Sequence, residues 1–226
     1  ARITAGYDEG TIDDRKYATV AGGQGNAASG AYATVSGGRY NTASGSGAAV
    51  TGAYNTVAGD YSFAAGRSVT ISDAHDGSFV FADQSGFSFS SAAANEFAAR
   101  VTGGVRFVTG IDGFGVPDAG VSLAADGTAW GTITARDAKE NFTDIDPVEI
   151  LDKLAALSIQ QWNYKFHDDS IKQIGPVAED FKAAFGLNGA YNGTITTQEI
   201  DGVALAAIQG LNKKLEEKQN RIDGLE

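Results

Sequence analysis

"YATVAGGQGNAASGA" (residues 17–31) is followed directly by "YATVSGGRYNTASGS" (residues 32–46), a self-match over fifteen residues. A match of that length lies beyond what shared composition produces and marks a structural repeat. Inside it runs a shorter beat. A small or branched apolar residue, a small residue and a glycine recur as Val20-Ala21-Gly22, Ala28-Ser29-Gly30, Val35-Ser36-Gly37, Ala43-Ser44-Gly45, Val50-Thr51-Gly52, Val57-Ala58-Gly59 and Ala64-Ala65-Gly66, at steps of seven or eight. A helix so rich in glycine is unstable, each glycine costing about 1 kcal/mol against alanine. The step fits a very short strand and a tight turn, with glycine supplying a positive φ or a close backbone approach and two steps completing one coil of a solenoid. A flexible Gly/Ala/Ser linker would not hold Val20, Val35, Val50 and Val57 in phase. The inward side chains are only Val and Ala, so one coil buries too little surface to offset the ordering of its backbone. Association of several chains is expected to supply the missing burial.

The phrases "GNAASG", "YNTASG" and "YNTVAG" resemble the head repeats of YadA-like trimeric adhesins. That resemblance covers about residues 17–70 and implies a left-handed parallel β-roll packed three together, in an N-terminal domain spanning 1–70. Residues 71–133 read as irregular β structure, a stalk or connector: "GSFVFAD", "GFSFS", "NEFAARVTGGVRFVTG" and "AGVSLAADGTAWG" are short alternating or aromatic runs broken by Gly and Asp, a pattern of strands and hairpins. Phe79, Phe81, Phe87, Phe89, Phe97 and Phe107 are expected to share a threefold interior, the alternative being an aromatic sugar-binding surface.

The chain changes character in "GTITARDAKENF" (residues 131–142). Of its 30 glycines, 23 precede Thr134, whereas Pro117, Pro147 and Pro176 all fall in the second half, so two architectures are expected in the 226 residues. The net charge of −11 is shared between the halves and leaves no basic face for nucleic acid. Without cysteine there is neither a disulfide nor a thiolate metal site, and the absence of methionine suggests a fragment or processed chain. No membrane-length apolar run occurs, so no membrane insertion is expected in this fragment, and "ARITAGYDEG" lacks the pattern of a secretory signal.

Beyond Thr134 the pattern is helical. "DPVEILDKLAALSIQQW" sets Pro147 in a first turn behind the cap Asp146, with Val148, Leu151, Leu154, Ala155 and Leu157 at helical spacing. In "GPVAEDFKAAFGL", Val177, Phe181 and Phe185 share a face and Gly186 is a stop. In "DGVALAAIQGLNKKLEEKQNRIDGLE", Asp201 is the expected cap, and Ala204, Ile208, Leu211, Leu215, Lys218, Ile222 and Leu225 form a short coiled-coil seam, centred on Ile208, Leu211, Leu215 and Ile222. The alternative is an amphipathic helix lying on its own domain.

"RDAKENF", "LAALSIQQWNY", "IGPVAEDFKAAFG" and "DGVALAAIQGLNKKLEE" together resemble, in order, the C-terminal intramolecular chaperone of phage endosialidases and tail spikes, also attached to bacterial surface proteins. The resemblance spans about residues 134–226. It implies a domain that trimerises, guides folding of the β-rich part ahead of it, and is then released by self-cleavage through a serine and a lysine. Such a hydroxyl attacks the carbonyl of the preceding residue, while a buried, neutral lysine accepts its proton. In the family, aspartate usually follows the serine and the lysine stands five positions after it. Counting back from Lys139 places the nucleophile at Thr134, followed by Ala135, and the cut between Ile133 and Thr134. Threonine keeps the oxygen, but its methyl group restricts χ1 and crowds the attack, and Ala135 removes a carboxylate. An impaired single-turnover autopeptidase is the expectation.

The fold expected from both resemblances is β plus α+β: an N-terminal parallel β-roll solenoid and β stalk, then a mixed helical chaperone domain (134–226) ending in a long helix, as an intertwined homotrimer. The resemblances imply an extracellular setting, on a bacterial surface or a phage tail fibre. The partner is self, with a host surface glycan or matrix protein as a further candidate. No cofactor or metal is called for. His75 and His167 have no ligand-spaced partner, Asp144 and Asp146 lack the rest of a calcium loop, and the glycines of "GGQGNAASG" belong to the repeat. "NFT" and "NGT" fit the glycosylation sequon and carry no weight in a bacterial or viral chain.

Overall fold

The computed structural model describes residues 4–5, 17–133, 136–187 and 193–225, in two compact units, 1–139 and 140–226. In the first unit, short strands alternate along the chain between two parallel sheets: β1 (Thr4–Ala5), β2 (Thr19–Val20), β3 (Ala27–Ala28), β4 (Thr34–Val35), β5 (Thr42–Ala43), β6 (Ala49–Ala53), β7 (Thr56–Val57), β8 (Phe63–Arg67), β9 (Val69–Ile71), β10 (Phe79–Ala82), β11 (Phe89–Ser90) and β12 (Phe97–Arg100). Odd-numbered strands form one sheet and even-numbered strands the other, which is the expected solenoid. Thr19 pairs with Thr34, Thr34 with Ala49 and Ala49 with Phe63, so one coil takes fourteen or fifteen residues, two steps of the beat.

Between the sheets lies a core of Ala28, Ala33, Val35, Ala43, Ala48, Val50, Val57, Ala64, Val69, Ile71, Val80 and Ala82, with Val20 packed half-buried against it. Such small side chains fit because the backbones approach closely. A Cβ on Gly45 would lie 2.3 Å from the Gly59 carbonyl oxygen, and one on Gly66, where φ is +95°, would lie 1.8 Å from that of Ala82.

One column of the interior is polar. Asn26, Asn41 and Asn55 are buried one above another, once per coil. Asn26 Oδ1 accepts the Asn41 N–H at 3.0 Å, Asn41 Oδ1 accepts the Asn55 N–H at 3.1 Å, and Asn55 Oδ1 accepts the Val69 N–H at 2.8 Å. Each amide nitrogen donates to a carbonyl of its own coil and to one of the next, as Asn41 Nδ2 does to Gly37 O at 3.1 Å and Gly52 O at 2.8 Å. These amides satisfy turn backbone that water cannot reach. The turns outside them carry exposed tyrosines in the left-handed region, Tyr32 at φ 59°, Tyr40 at 55°, Tyr54 at 61° and Tyr61 at 54°. That conformation is costly for a bulky residue, and ring stacking of Tyr40 on Tyr54 (5.4 Å) with the Arg39 guanidinium over Tyr54 (5.1 Å) offsets part of it.

The parallel ladders continue past residue 70. Phe63 pairs with Phe79 and Phe79 with Phe97, all parallel, so "GSFVFAD" and "NEFAAR" are further rungs rather than hairpins. The coil ends at Arg100, where the Asp83 carboxylate accepts the N–H and hydroxyl of Thr102 at 2.9 and 2.7 Å and Arg100 Nε at 3.3 Å. The two bonds from Thr102 hold this carboxyl well below the usual carboxylate range, so the lock persists as pH falls through that range.

Hairpins begin only after the coil: β13 (Val105–Ile111) and β14 (Pro117–Leu123) are antiparallel, and β15 (Gly131–Thr132) pairs with β14. The six phenylalanines do not gather inside the single chain. Phe79, Phe87, Phe97 and Phe107 are exposed, and Phe89, on the odd-numbered sheet, packs under the Arg100 guanidinium.

The second unit contains α1 (Pro147–Ala156), a hairpin of β16 (Gln160–Trp162) and β17 (Gln173–Gly175), α2 (Ala178–Phe185) and the long α3 (Thr197–Asp223). Asp146 caps α1 through Val148 N–H at 2.9 Å, with Pro147 in the first turn, as its sequence dictates. Gly186 closes α2 at φ 68°. The expected cap of α3 is corrected: Asp201 lies inside the helix, and Thr196 caps it, its hydroxyl accepting the Glu199 N–H while Glu199 reaches back to the Thr196 N–H at 2.8 Å. Two orphan donors are met there, whereas Asp201 would satisfy fewer.

Candidate functional site

The candidate cut follows a strand that is firmly held. Thr132 and Gly131 pair with Val121 and Ser122, and the Ile133 N–H donates to Gly120 O at 3.1 Å. Ile133 is half-buried and borders a hollow of about 270 Å³ with Asp112, Val116, Pro117, Asp118, Asp137 and Ala138. The residue whose carbonyl would be attacked is thereby fixed by backbone bonds and side-chain contact, the positioning such a reaction requires. Thr134 and Ala135 lie outside the described residues. The chain is described again in a 3-10 turn, Arg136–Ala138, closed by the Lys139 N–H donating to Arg136 O at 3.2 Å. The Lys139 side chain is exposed in the single chain, whereas a lysine acts as a general base from a desolvated site.

The second feature is the double face of α3. Val203, Ala206, Ala207 and Gly210 are buried, and a Cβ on Gly210 would meet Pro147 O at 2.1 Å, so α1 and α3 touch backbone to backbone. Lys214 on α3 ion-pairs with Asp152 on α1. Gly210→Ala is therefore expected to lower the stability of the helical unit by about 1–3 kcal/mol through overpacking; an unchanged midpoint of the helical signal in denaturant would refute this contact. Around the helix from that face, Ile208, Leu211, Leu215 and Ile222 form a stripe that is exposed among the described residues, with Ile208 63 % and Leu215 57 % exposed. Here α3 lies on α1 through Val203, Ala206, Ala207 and Gly210, as the alternative of a helix on its own domain requires, and Ile208, Leu211, Leu215 and Ile222 stay exposed beside that face.

The remaining candidates have structural roles. His75 Nδ1 is 2.7 Å from Ser91 Oγ, His167 packs edge-on to Tyr164 and Phe166, and Asp146 is the α1 cap. The glycines of "GGQGNAASG" lie in turns of the coil. Among the described residues no group of three His, Asp or Glu side chains gathers to hold a metal, and no helix is long and apolar enough to cross a membrane.

Two of the phenylalanines expected in a threefold interior, Phe79 and Phe97, stand with Ala49 and Phe63 in one outward column on the even-numbered sheet. Phe63 and Phe79 rings stack at 4.9 Å, and Phe79 and Phe97 at 5.2 Å. The available signal was the recurrence of Phe63, Phe79 and Phe97, each followed by an apolar residue.

Residues 135–189 match the model of the family described as chaperone of endosialidase, roughly a quarter of the 226-residue chain. The match begins one residue after Thr134 and takes in α1, the β16–β17 hairpin and α2, but not α3. No curated protein matches the chain.

Proposed function

We propose that this chain is part of a homotrimeric fibre or surface adhesin that carries its own intramolecular chaperone, with residues 134–226 bringing three copies together so that the β-coil ahead of them can fold. The family match that starts at residue 135 carries the reading. It has a physical rationale. A coil of near-identical rungs offers no register signal of its own, and contacts between chains form slowly and in a concentration-dependent way. A helix with an uncovered apolar stripe at Ile208, Leu211, Leu215 and Ile222 gives three chains one register before the rungs form. The phage tail or bacterial cell surface is the setting this assembly suits, with recognition of a host glycan or matrix protein as a further role of the coil. Mass in solution, intact and denatured, tests the reading: a mass of three chains supports it, and a single-chain mass at micromolar concentration overturns it.

Self-cleavage between Ile133 and Thr134, with Thr134 as nucleophile and Lys139 as base, is the second reading, favoured by the anchored Ile133. In this chain the reaction is slow, because threonine and alanine stand where serine and aspartate act. The double change Thr134→Ser with Ala135→Asp is expected to raise the cleaved fraction on a denaturing gel by at least about tenfold, the effect of better positioning. An unchanged single band would remove the dyad from these positions.

A further inference from the structure

The two faces of the coil differ in chemistry. Outward from the odd-numbered sheet run Ala27, Thr42, Thr56, Thr70 and Ser90, nearly a pure hydroxyl column. Outward from the even-numbered sheet run Thr19, Thr34, Ala49, Phe63, Phe79 and Phe97, hydroxyl at one end and aromatic at the other. The neighbouring outward column there, Thr51, Ala65, Phe81 and Ala99, is also without charge. Three stacked phenylalanines, with Phe79 42 % and Phe97 69 % exposed, form an apolar strip of the kind that marks an interface. Their own stacking covers only the ring faces that look along the column.

We propose that this outward face of the even-numbered sheet, with Phe63, Phe79 and Phe97 at its centre, is where copies of the chain pack against one another along the coil. The inference rests on the self-association reading and deepens it by naming the face. A second copy is the occupant for two reasons. A ladder with one rung per coil is matched by a surface of equal rise, which another copy related by rotation supplies at every rung. The strip of Phe63, Phe79 and Phe97 and its neighbouring column carry no charge, and the charged column with Arg39 and Arg67 lies beside them, so copies that meet through the strip itself bring no like charges together there. The size of the face also explains why the helical unit is needed. Six strands at about 4.8 Å spacing and three residues of width give a flat area on the order of 250 Å², against roughly 800 Å² per partner in a stable interface. Alone the face is too small to hold copies together; with the α3 stripe aligning them it has only to zip. The aromatic end belongs to the coils nearest residue 100, so pairing starts there and proceeds toward residue 17.

The chain has no cysteine, so single introduced thiols report position cleanly. In the full-length protein, Phe79→Cys on this face, Thr56→Cys on the opposite face and Leu211→Cys on the α3 stripe are each treated with a short bis-maleimide and run on a denaturing gel. Cross-linking between copies is expected at 79 and at 211, and roughly tenfold slower at 56, reflecting effective concentration. Ala65→Cys, a smaller change on the same face, stands in should Phe79→Cys fail to fold. Cross-linking at 211 without 79 or 65, or at 56 as fast as at 79, overturns this face while leaving self-association standing. No cross-link at any position together with a single-chain mass overturns both.

Discussion

Residues 1–133 produced without the helical unit are expected to aggregate or stay unfolded, while the full chain yields a soluble β-rich assembly. The fully buried apolar side chains of the coil are alanine and valine with one isoleucine, so each rung buries little apolar surface against a backbone ordering cost of about 1–2 kcal/mol per residue. Its rungs pair in parallel with partners fourteen to twenty-three residues away, so every coil must close a loop before it gains a contact. Unfolded, the segment exposes phenylalanines and β-prone runs with nothing to order them. Size-exclusion chromatography with light scattering and circular dichroism distinguishes the outcomes. A companion experiment separates a folding role from a static one: with a protease site placed between Ile133 and Thr134, cutting after assembly leaves the coil intact. Recovery of a soluble β-rich oligomer from 1–133 alone sinks the chaperone reading, and dissociation on cutting the finished assembly shows that the helices act only as a clamp.

Asn41→Leu is expected to destabilise the coil by about 2–4 kcal/mol, several times the effect of Thr56→Ala on the outer face. Leucine fills a similar volume but accepts nothing, so the Asn55 N–H loses its bond at 3.1 Å inside a dry column, and Gly37 O and Gly52 O lose their amide donor. Gly52 O keeps the Arg39 N–H at 3.1 Å, which limits the loss on that side. Denaturant unfolding of the β signal measures the difference. A change below about 0.5 kcal/mol, the size of an ordinary surface substitution, would mean the column is not needed to satisfy the turns.

The coil was legible from residue 17 to about 70 because its valines and glycines keep a strict step. Beyond that, the turns lengthen: Phe79 lies sixteen residues after Phe63 and Phe97 eighteen after Phe79, so the phase is lost although the ladder continues. The tyrosines gave no sign of their left-handed backbone, since that conformation is imposed by the rung above and below and not by the residue. Thr196-x-x-Glu199 is a capping box written in the sequence, five residues ahead of the expected cap Asp201. The α3 stripe was visible from spacing, but only the structure separates it from the Val203, Ala206, Ala207 and Gly210 face. At the junction, the assignment of Lys139 and Thr134 rests on family resemblance alone. No local periodicity predicts the hydrogen bond that anchors Ile133.

The asparagine column also governs how the reach of this molecule can change. Within the three coils that carry Asn26, Asn41 and Asn55, deleting or duplicating a whole interval from one asparagine to the next restores every buried bond, whereas a fractional change there places a wrong side chain in the buried column. Reach is thus adjustable only in increments of one rung, about 4.8 Å each. A chain longer or shorter by one such interval is expected to keep the buried bonds of its asparagine column, so coil length changes by whole rungs without a redesign of that column.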